Sequence, residues 1–443
     1  MDRSKITANF SHLLMVSFCL ALPASAQQPQ PKISKYERDE VREMLSTISV
    51  DVKKHYYDRN LHGIDWNANV KNFEVRIDNA ASLNRGLSEV AAALDALNDS
   101  HTFFLPPPRP YKHDYGWQIQ MIGEKCFVLR VRPESDAERK GVKAGDEVLS
   151  INGFAPARDN LWKMNFVFNA LRPQSALRVS LLAPNGERKD VEIAAAVRQL
   201  QLVRDLTGNG IWDYIREMQG VEHLGRMRYT ETEDGVMILK LPEFAFTESQ
   251  VDEIMKKARK NKVLILDLRG NPGGSVVTLK EFLSNFFDHE VKICDRVTRD
   301  NTKPQMTKSR GKEAFAGKLV VLVDSRSASA SEVLARVVQL EKRGTVLGDR
   351  SAGAVMEAIH YNYHIGFERQ LFYGASITDA DLIMTDGKSL EHVAMTPDEA
   401  LVPSGADLAA GRDPVLVRAV ELAGGKMTAE VAGKLFPFEW PPL

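Results

Sequence analysis

Three cysteines in 443 residues are few, and Cys19 lies in an apolar N-terminal run. Cys126 and Cys294 fall in different expected domains, flanked by Phe127 and Val128 and by Val291 and Ile293. Buried free thiols, rather than a disulfide framework, are expected. Charge of one sign is not in excess either: 58 Lys and Arg face 59 Asp and Glu, which leaves no basic surplus to hold nucleic acid. No apolar run, the N-terminal one included, is long enough for a membrane span. Repeats and low-complexity tracts are missing, which excludes solenoids and long disordered tails. Metal-ligand spacing is missing as well. His360 and His364 stand four apart, but Ile359 to Ile365 alternates like a strand, which separates the pair by roughly 13 Å. The Gly270–Gly274 loop lacks the Lys-Ser/Thr of a phosphate-binding loop. No metal, nucleotide or other cofactor is expected.

What is present is a succession of differently patterned segments, and the length suggests roughly two to four domains. Arg3 and Lys5 precede an apolar run from Leu13 to Leu22 and then Ala24-Ser25-Ala26. That is the layout of a secretory signal over residues 1–26, so a periplasmic or secreted protein is expected. Residues 27–112 read as a helical N-terminal domain. Val41, Met44, Leu45, Ile48 and Val52 recur at helical spacing, as do Leu87, Val90, Ala91, Leu94 and Leu97. Asn98-Asp99-Ser100 interrupts the pattern, and Pro106-Pro107-Pro108 with Pro110 makes a stiff linker. Residues 113–198 turn to short strands: Cys126 to Val131, Glu147 to Ile151, Leu177 to Leu182 and Asp190 to Ala194.

From 199 to 443 strands and helices alternate, which predicts an α/β sheet with a site at the strands' carboxyl ends. Two buried-strand patterns end in turns of special composition. Val263 to Leu268 runs into Gly270-Asn271-Pro272-Gly273-Gly274, and Leu319 to Val323 runs into Ser327-Ala328-Ser329-Ala330-Ser331-Glu332. The second turn has two readings. Ser329-x-x-Glu332 fits a capping box for the helix that follows. It also places a hydroxyl at a helix N-terminus, where amide donors and the helix dipole stabilise developing negative charge.

The residues from Gly141 through Gly145-Asp146 to Ile151-Asn152-Gly153 resemble a PDZ domain. Such a domain binds an extended peptide, often the C-terminus of a polypeptide, at a sheet edge. Its carboxylate loop is matched by Gly116-Trp117-Gln118-Ile119, with Gln118 in place of the second glycine. Together with Asp267–Gly274 and Ser327–Glu332, the order of segments resembles the tail-specific (C-terminal processing) serine peptidase family. The resemblance implies a multidomain α+β protein with a crotonase-like α/β catalytic core and polypeptide substrates, and it leaves oligomerisation open. Ser329 is the matching nucleophile. Ala354 stands where the lysine-dependent branch has its base, so that base is excluded. Leu97-Asn98-Asp99-Ser100-His101-Thr102 resembles the histidine segment of tricorn-core-like members instead. That implies His101 as general base, Ser100 as the group orienting it, and Glu391 supporting Ser100. The backbone N–H groups of Gly273 and Ala330, with Gly274 as a third contributor, would bind the oxyanion. The family also includes retinoid-binding modules, so the alternative is an inactive member that binds a peptide or an apolar ligand.

Overall fold

The computed structural model describes residues 32–199, 226–366 and 370–440. The expected signal, residues 1–26, lies outside them. Three helices come first, Lys35–His55, Trp66–Asp78 and Leu83–Asp95. The first opens on a capping box. Ser34 Oγ accepts from the Glu37 amide (3.2 Å), while the Glu37 carboxylate accepts from the Ser34 amide (2.8 Å). Its predicted apolar stripe, Val41, Met44, Leu45, Ile48 and Val52, is buried. These helices do not close a core among themselves. Tyr373, Ala375 and Ile377 of the long strand Leu371–Met384 complete it. That strand pairs antiparallel with Phe103–Leu105, Met356–Ile365 and Lys292–Thr298. The stretch just after the third helix is therefore stitched to the C-terminal part of the molecule.

A five-stranded antiparallel sheet follows. Its strands Trp117–Ile122, Lys125–Val131, Glu147–Ile151, Ala176–Leu182 and Arg188–Ala194 lie in sequence order. Among the described residues the first is an edge strand, with no sheet partner on one of its sides. Cys126 in this sheet and Cys294 in the other are buried and free, and burial pushes each thiol up to about 12.

The third sheet has six strands in the order Glu399–Ala400, Thr345–Gly348, Lys318–Val323, Val263–Asp267, Val236–Lys240, Arg228–Glu231. All neighbours are parallel except the last pair. Its inner strands read as unbroken apolar runs because both faces are covered. Leu264, Leu266, Val321 and Val323 pack on one side with helices Glu248–Ala258, Val276–Ser284 and Ala330–Leu340. Ile265, Val320 and Leu322 face helix Pro414–Leu422 on the other. Alternate residues of one strand thus enter two different cores. Among the described residues no helix is long and apolar enough to cross a membrane.

At the end of the central strand a buried ion network fixes where the glycine loop begins. Asp267 accepts from Arg269 Nε and Nη2 (both 2.9 Å), and Arg269 donates on to both oxygens of Asp413 (2.9 and 2.8 Å). Lys240 Nζ lies 3.2 Å from Asp267 Oδ1. Burial by itself would raise the Asp267 pKa, but Arg269 and Lys240 outweigh it and hold the carboxyl well below the usual range. Arg269→Ala leaves that carboxylate buried with Lys240 alone. It is expected to cost roughly 3–5 kcal/mol of stability in a denaturant titration.

Candidate active site

The carboxyl ends of three adjacent parallel strands build the site, where an open α/β sheet leaves its loops free. Val263–Asp267 delivers the glycine loop, Lys318–Val323 the serine turn, and Thr345–Gly348 the segment 349–355. Within the serine turn the three hydroxyls are used differently. Ser327 is buried, and its Oγ donates to the Leu268 carbonyl (2.9 Å) and accepts from the Asp324 amide (2.9 Å). Ser331 is buried as well, and its Oγ donates to the Asn271 carbonyl (3.0 Å). These two pegs lock the turn to the glycine loop. Ser329, between them, is half-buried and makes no side-chain cap hydrogen bond.

The capping reading therefore holds only in part. The Glu332 carboxylate accepts from the Ser329 amide (3.1 Å), while the Glu332 amide donates to the Ser329 carbonyl (2.9 Å). Among the described residues the hydroxyl itself donates no hydrogen bond. Ser329 also has φ 54° and ψ −118°, a region that costs a non-glycine residue about 1–3 kcal/mol. A sharp, strained strand-to-helix turn of this kind lifts a side chain out of the sheet.

Gly273 faces that turn at φ +99°. A Cβ there would lie 2.7 Å from Ser329 Cβ, 2.8 Å from the Ala328 carbonyl oxygen and 3.1 Å from the Ala330 nitrogen. Only glycine lets the two loops approach so closely. Its amide, however, donates to Asn271 Oδ1 (2.8 Å), because Asn271 closes an Asx turn over it. The expected free N–H at Gly273 is thus engaged. Among the described residues the amides of Gly274 and Ala330 have no hydrogen-bond acceptor.

His101 arrives from the far side, on the loop that joins the third helix to strand Phe103–Leu105. Asp99 shapes this loop. Its buried carboxylate accepts from the amides of His101 (2.9 Å) and Thr102 (2.7 Å), from Thr378 Oγ1 (2.5 Å) and from the Tyr56 hydroxyl (2.9 Å). Ser100 and Glu391 then orient the ring. Ser100 Oγ donates to Glu391 Oε2 (2.9 Å), and the Ser100 amide donates to Oε1 (2.7 Å). With its one hydrogen spent on a carboxylate, Ser100 Oγ must accept from His101 Nδ1, 2.7 Å away. That fixes the proton on Nδ1 and leaves the lone pair on Nε2. Burial lowers the His101 pKa against the attraction of Glu391 and Asp99, so the ring is neutral at pH 7 and able to take a proton.

Five of the six predicted site residues are thereby brought together through two neighbouring backbone positions. The Ser329 amide donates to the Ala354 carbonyl (2.9 Å), and the Val355 amide donates to Glu391 Oε2 (2.8 Å). The path runs on from Glu391 through Ser100 to His101, and Ala330 adjoins Ser329. Gly273, the sixth, contacts the turn from its other side. Among the described residues no hydrogen bond links the Ser329 hydroxyl to the His101 ring. In a ligand-free site such contacts are often long and close only around substrate. Ser100, His101, Pro272, Ala328 and Ala354 line a single cleft of about 1110 Å³, which Trp117, Gln118 and Ile119 of the edge strand also border. Asp99, Asn271 and Glu332 shape the site although their motifs mark them only as turn or cap residues. Each is an Asx or N3 position, whose local pattern announces only a turn or a cap.

Residues 235–401 match peptidase family S41, and residues 37–85 match the tricorn protease C1 domain. Carboxyl-terminal-processing peptidase 1, chloroplastic, of Arabidopsis thaliana is 26% identical over 278 residues, covering 59% of this chain and 52% of its own length. Carboxy-terminal processing protease CtpB of Bacillus subtilis is 26% identical over 252 residues, covering 55% and 47%. The protein thus spans about half the length of these curated relatives. Mature CPAF, solved with lactacystin, shares the fold with a TM-score of 0.63 at 15% identity, over 85% of this chain and 96% of that one. The glycine loop, the serine turn and Glu391 all lie inside residues 235–401, and that segment matches peptidase family S41.

Proposed function

We propose that this protein is a serine endopeptidase that hydrolyses peptide bonds of polypeptide substrates through an acyl-enzyme on Ser329. The observation that carries the proposal is the path from the Ser329 backbone through Ala354, Val355, Glu391 and Ser100 to His101. In this reading His101 Nε2 takes the Ser329 proton as the hydroxyl attacks the carbonyl carbon. Ser100, held by Glu391, keeps the ring in its Nδ1–H tautomer. Ala330 and Gly274 give amide hydrogens to the oxyanion, while Gly273 supplies the space for it. The protonated ring then gives its proton to the leaving amine, and water reverses the sequence to release the acid.

Residues 113–198 act as a PDZ module in this proposal. Strand Trp117–Ile122, whose edge is unpaired among the described residues, borders the same cleft as His101, so a peptide added there as an extra strand would lead toward Ser329. With the division 27–112, 113–198 and 199–443, the last segment is the crotonase-like catalytic core. Export rests on the N-terminal pattern alone.

A serine-reactive fluorophosphonate tests the chemistry. The expected result is one adduct per molecule, located at Ser329 by peptide mass spectrometry, with parallel loss of hydrolysis of an unfolded protein. A protein that neither labels nor hydrolyses would be a binding protein, not a peptidase.

A further inference from the structure

Glu332 is fully buried one turn beyond Ser329, and among the described residues no cation pairs with it. Its two oxygens accept four hydrogen bonds. Oε1 takes Ser351 Oγ (2.5 Å) and the Gly353 amide (2.8 Å), and Oε2 takes the amides of Ala354 (3.0 Å) and Ser329 (3.1 Å). Four donors are what an ionised carboxylate can receive, and a protonated one would bring a hydrogen where an acceptor is needed. A cap requires only the bond to Ser329. The other three fasten the helix start to residues 351–354, and the next amide in that segment, Val355, holds Glu391 (2.8 Å).

We propose that Glu332 is a positioning residue: its ionised carboxylate holds the strained backbone of Ser329 and sets the nucleophile's place relative to the His101 assembly. The proposal rests on the reading of Ser329 as nucleophile. A residue in a sparsely populated conformation persists only where its surroundings over-determine it, and the Ser329 amide is held at once by the Ala354 carbonyl and by Glu332. Backbone amides do not tolerate an amide NH₂ in the place of a carboxylate oxygen, so the arrangement depends on the charge state of this one group.

Burial raises the Glu332 pKa to about 7, with the Ser351 hydroxyl and three amides pulling the other way. From the elements packed against it, the carboxylate meets only those four neutral donors among the described residues. The titratable groups along the path are Glu391, reached through Val355, and His101 beyond it. The sign is then set. Activity rises with pH as Glu332 ionises near 7, above the range in which His101 loses its proton.

The test compares wild type, Ser329→Ala, Glu332→Gln and Ser351→Ala in peptide hydrolysis and in the rate of fluorophosphonate labelling. Near-UV circular dichroism follows the fold. Glu332→Gln should lower kcat and the labelling rate by roughly 100-fold, the cost of a misplacement of about 1 Å, with KM nearly unchanged. Its acid limb should move down to that of His101. Ser351→Ala removes one donor and keeps the carboxylate, so its acid limb should move up, and this variant decides the matter if Glu332→Gln does not fold. Wild-type labelling rates in folded Glu332→Gln, or an unmoved acid limb in Ser351→Ala, would overturn the positioning role alone. A wild type without labelling or hydrolysis would remove the nucleophile assignment, and this proposal with it.

Discussion

His101→Ala is expected to lower kcat/KM on an unfolded protein substrate by roughly a million-fold, Ser329→Ala by about as much, and the double variant by no more than either. Nucleophile and base act as a unit, so removing one leaves nothing for the other to do. What survives is the contribution of binding and of the oxyanion donors, roughly 10³–10⁴ over the uncatalysed reaction. The structure makes the demand on His101 specific. Ala354 offers no amine, and its backbone is already spent on Ser329 and Glu332. Glu391 and Ser100 are turned to Nδ1, the side of the ring away from the reacting nitrogen. Single-turnover acylation at pH 7 measures the effect without product release. More than one hundredth of wild-type acylation in His101→Ala would mean that a different group removes the proton. Additive losses in the double variant would mean that the two residues do not share one proton transfer.

How much of this could be read beforehand follows from the range of each interaction. The parallel strands announced themselves because strands covered on both faces are apolar without alternation, as Val263–Asp267 and Lys318–Val323 are. The helices of the first hundred residues were equally plain from Val41, Met44, Leu45, Ile48 and Val52. Periodicity could not show that Tyr373, Ala375 and Ile377 finish their core, since a partner some three hundred residues away leaves no local trace. The same limit applies inside the site. Ser329, His101 and Glu391 were found by motif, each on its own loop. The links between them run through Ala354 and Val355, whose side chains carry no chemistry and whose backbone does the joining. Asn271 reads as an ordinary turn residue, although its side chain takes the very amide assigned to the oxyanion. Glu332 reads as a cap because a capping glutamate and a glutamate binding four donors have the same spacing from the serine.

Gly273→Ala is expected to reduce turnover by roughly a thousand-fold, while removal of the Gly273 amide's partner in Asn271→Ala should cost far less. The methyl group would stand 2.7 Å from Ser329 Cβ and 2.8 Å from the Ala328 carbonyl oxygen, closer than real Cβ atoms come to either. Neither neighbour can yield cheaply. Ala328 donates its amide to the Asn271 carbonyl (3.0 Å), and Ser329 is held by Ala354 and Glu332. The glycine loop must therefore move instead, and it carries Gly274 with it. A shift of about 1 Å costs on the order of 100-fold through misorientation. Loss of alignment at one oxyanion donor adds a factor of roughly 10²–10³ where it is complete. The backbone opposes the substitution too, since φ +99° is a region that alanine avoids. Because the displaced element is the loop rather than the serine turn, the two effects should separate by probe. Substrate hydrolysis, which needs the oxyanion donors, should fall further than labelling by a small phosphonate, and the melting temperature should drop by several degrees. Equal losses in both would place the damage at Ser329 itself. An active Gly273→Ala would mean that the loops stand farther apart in the working enzyme than 2.7 Å allows.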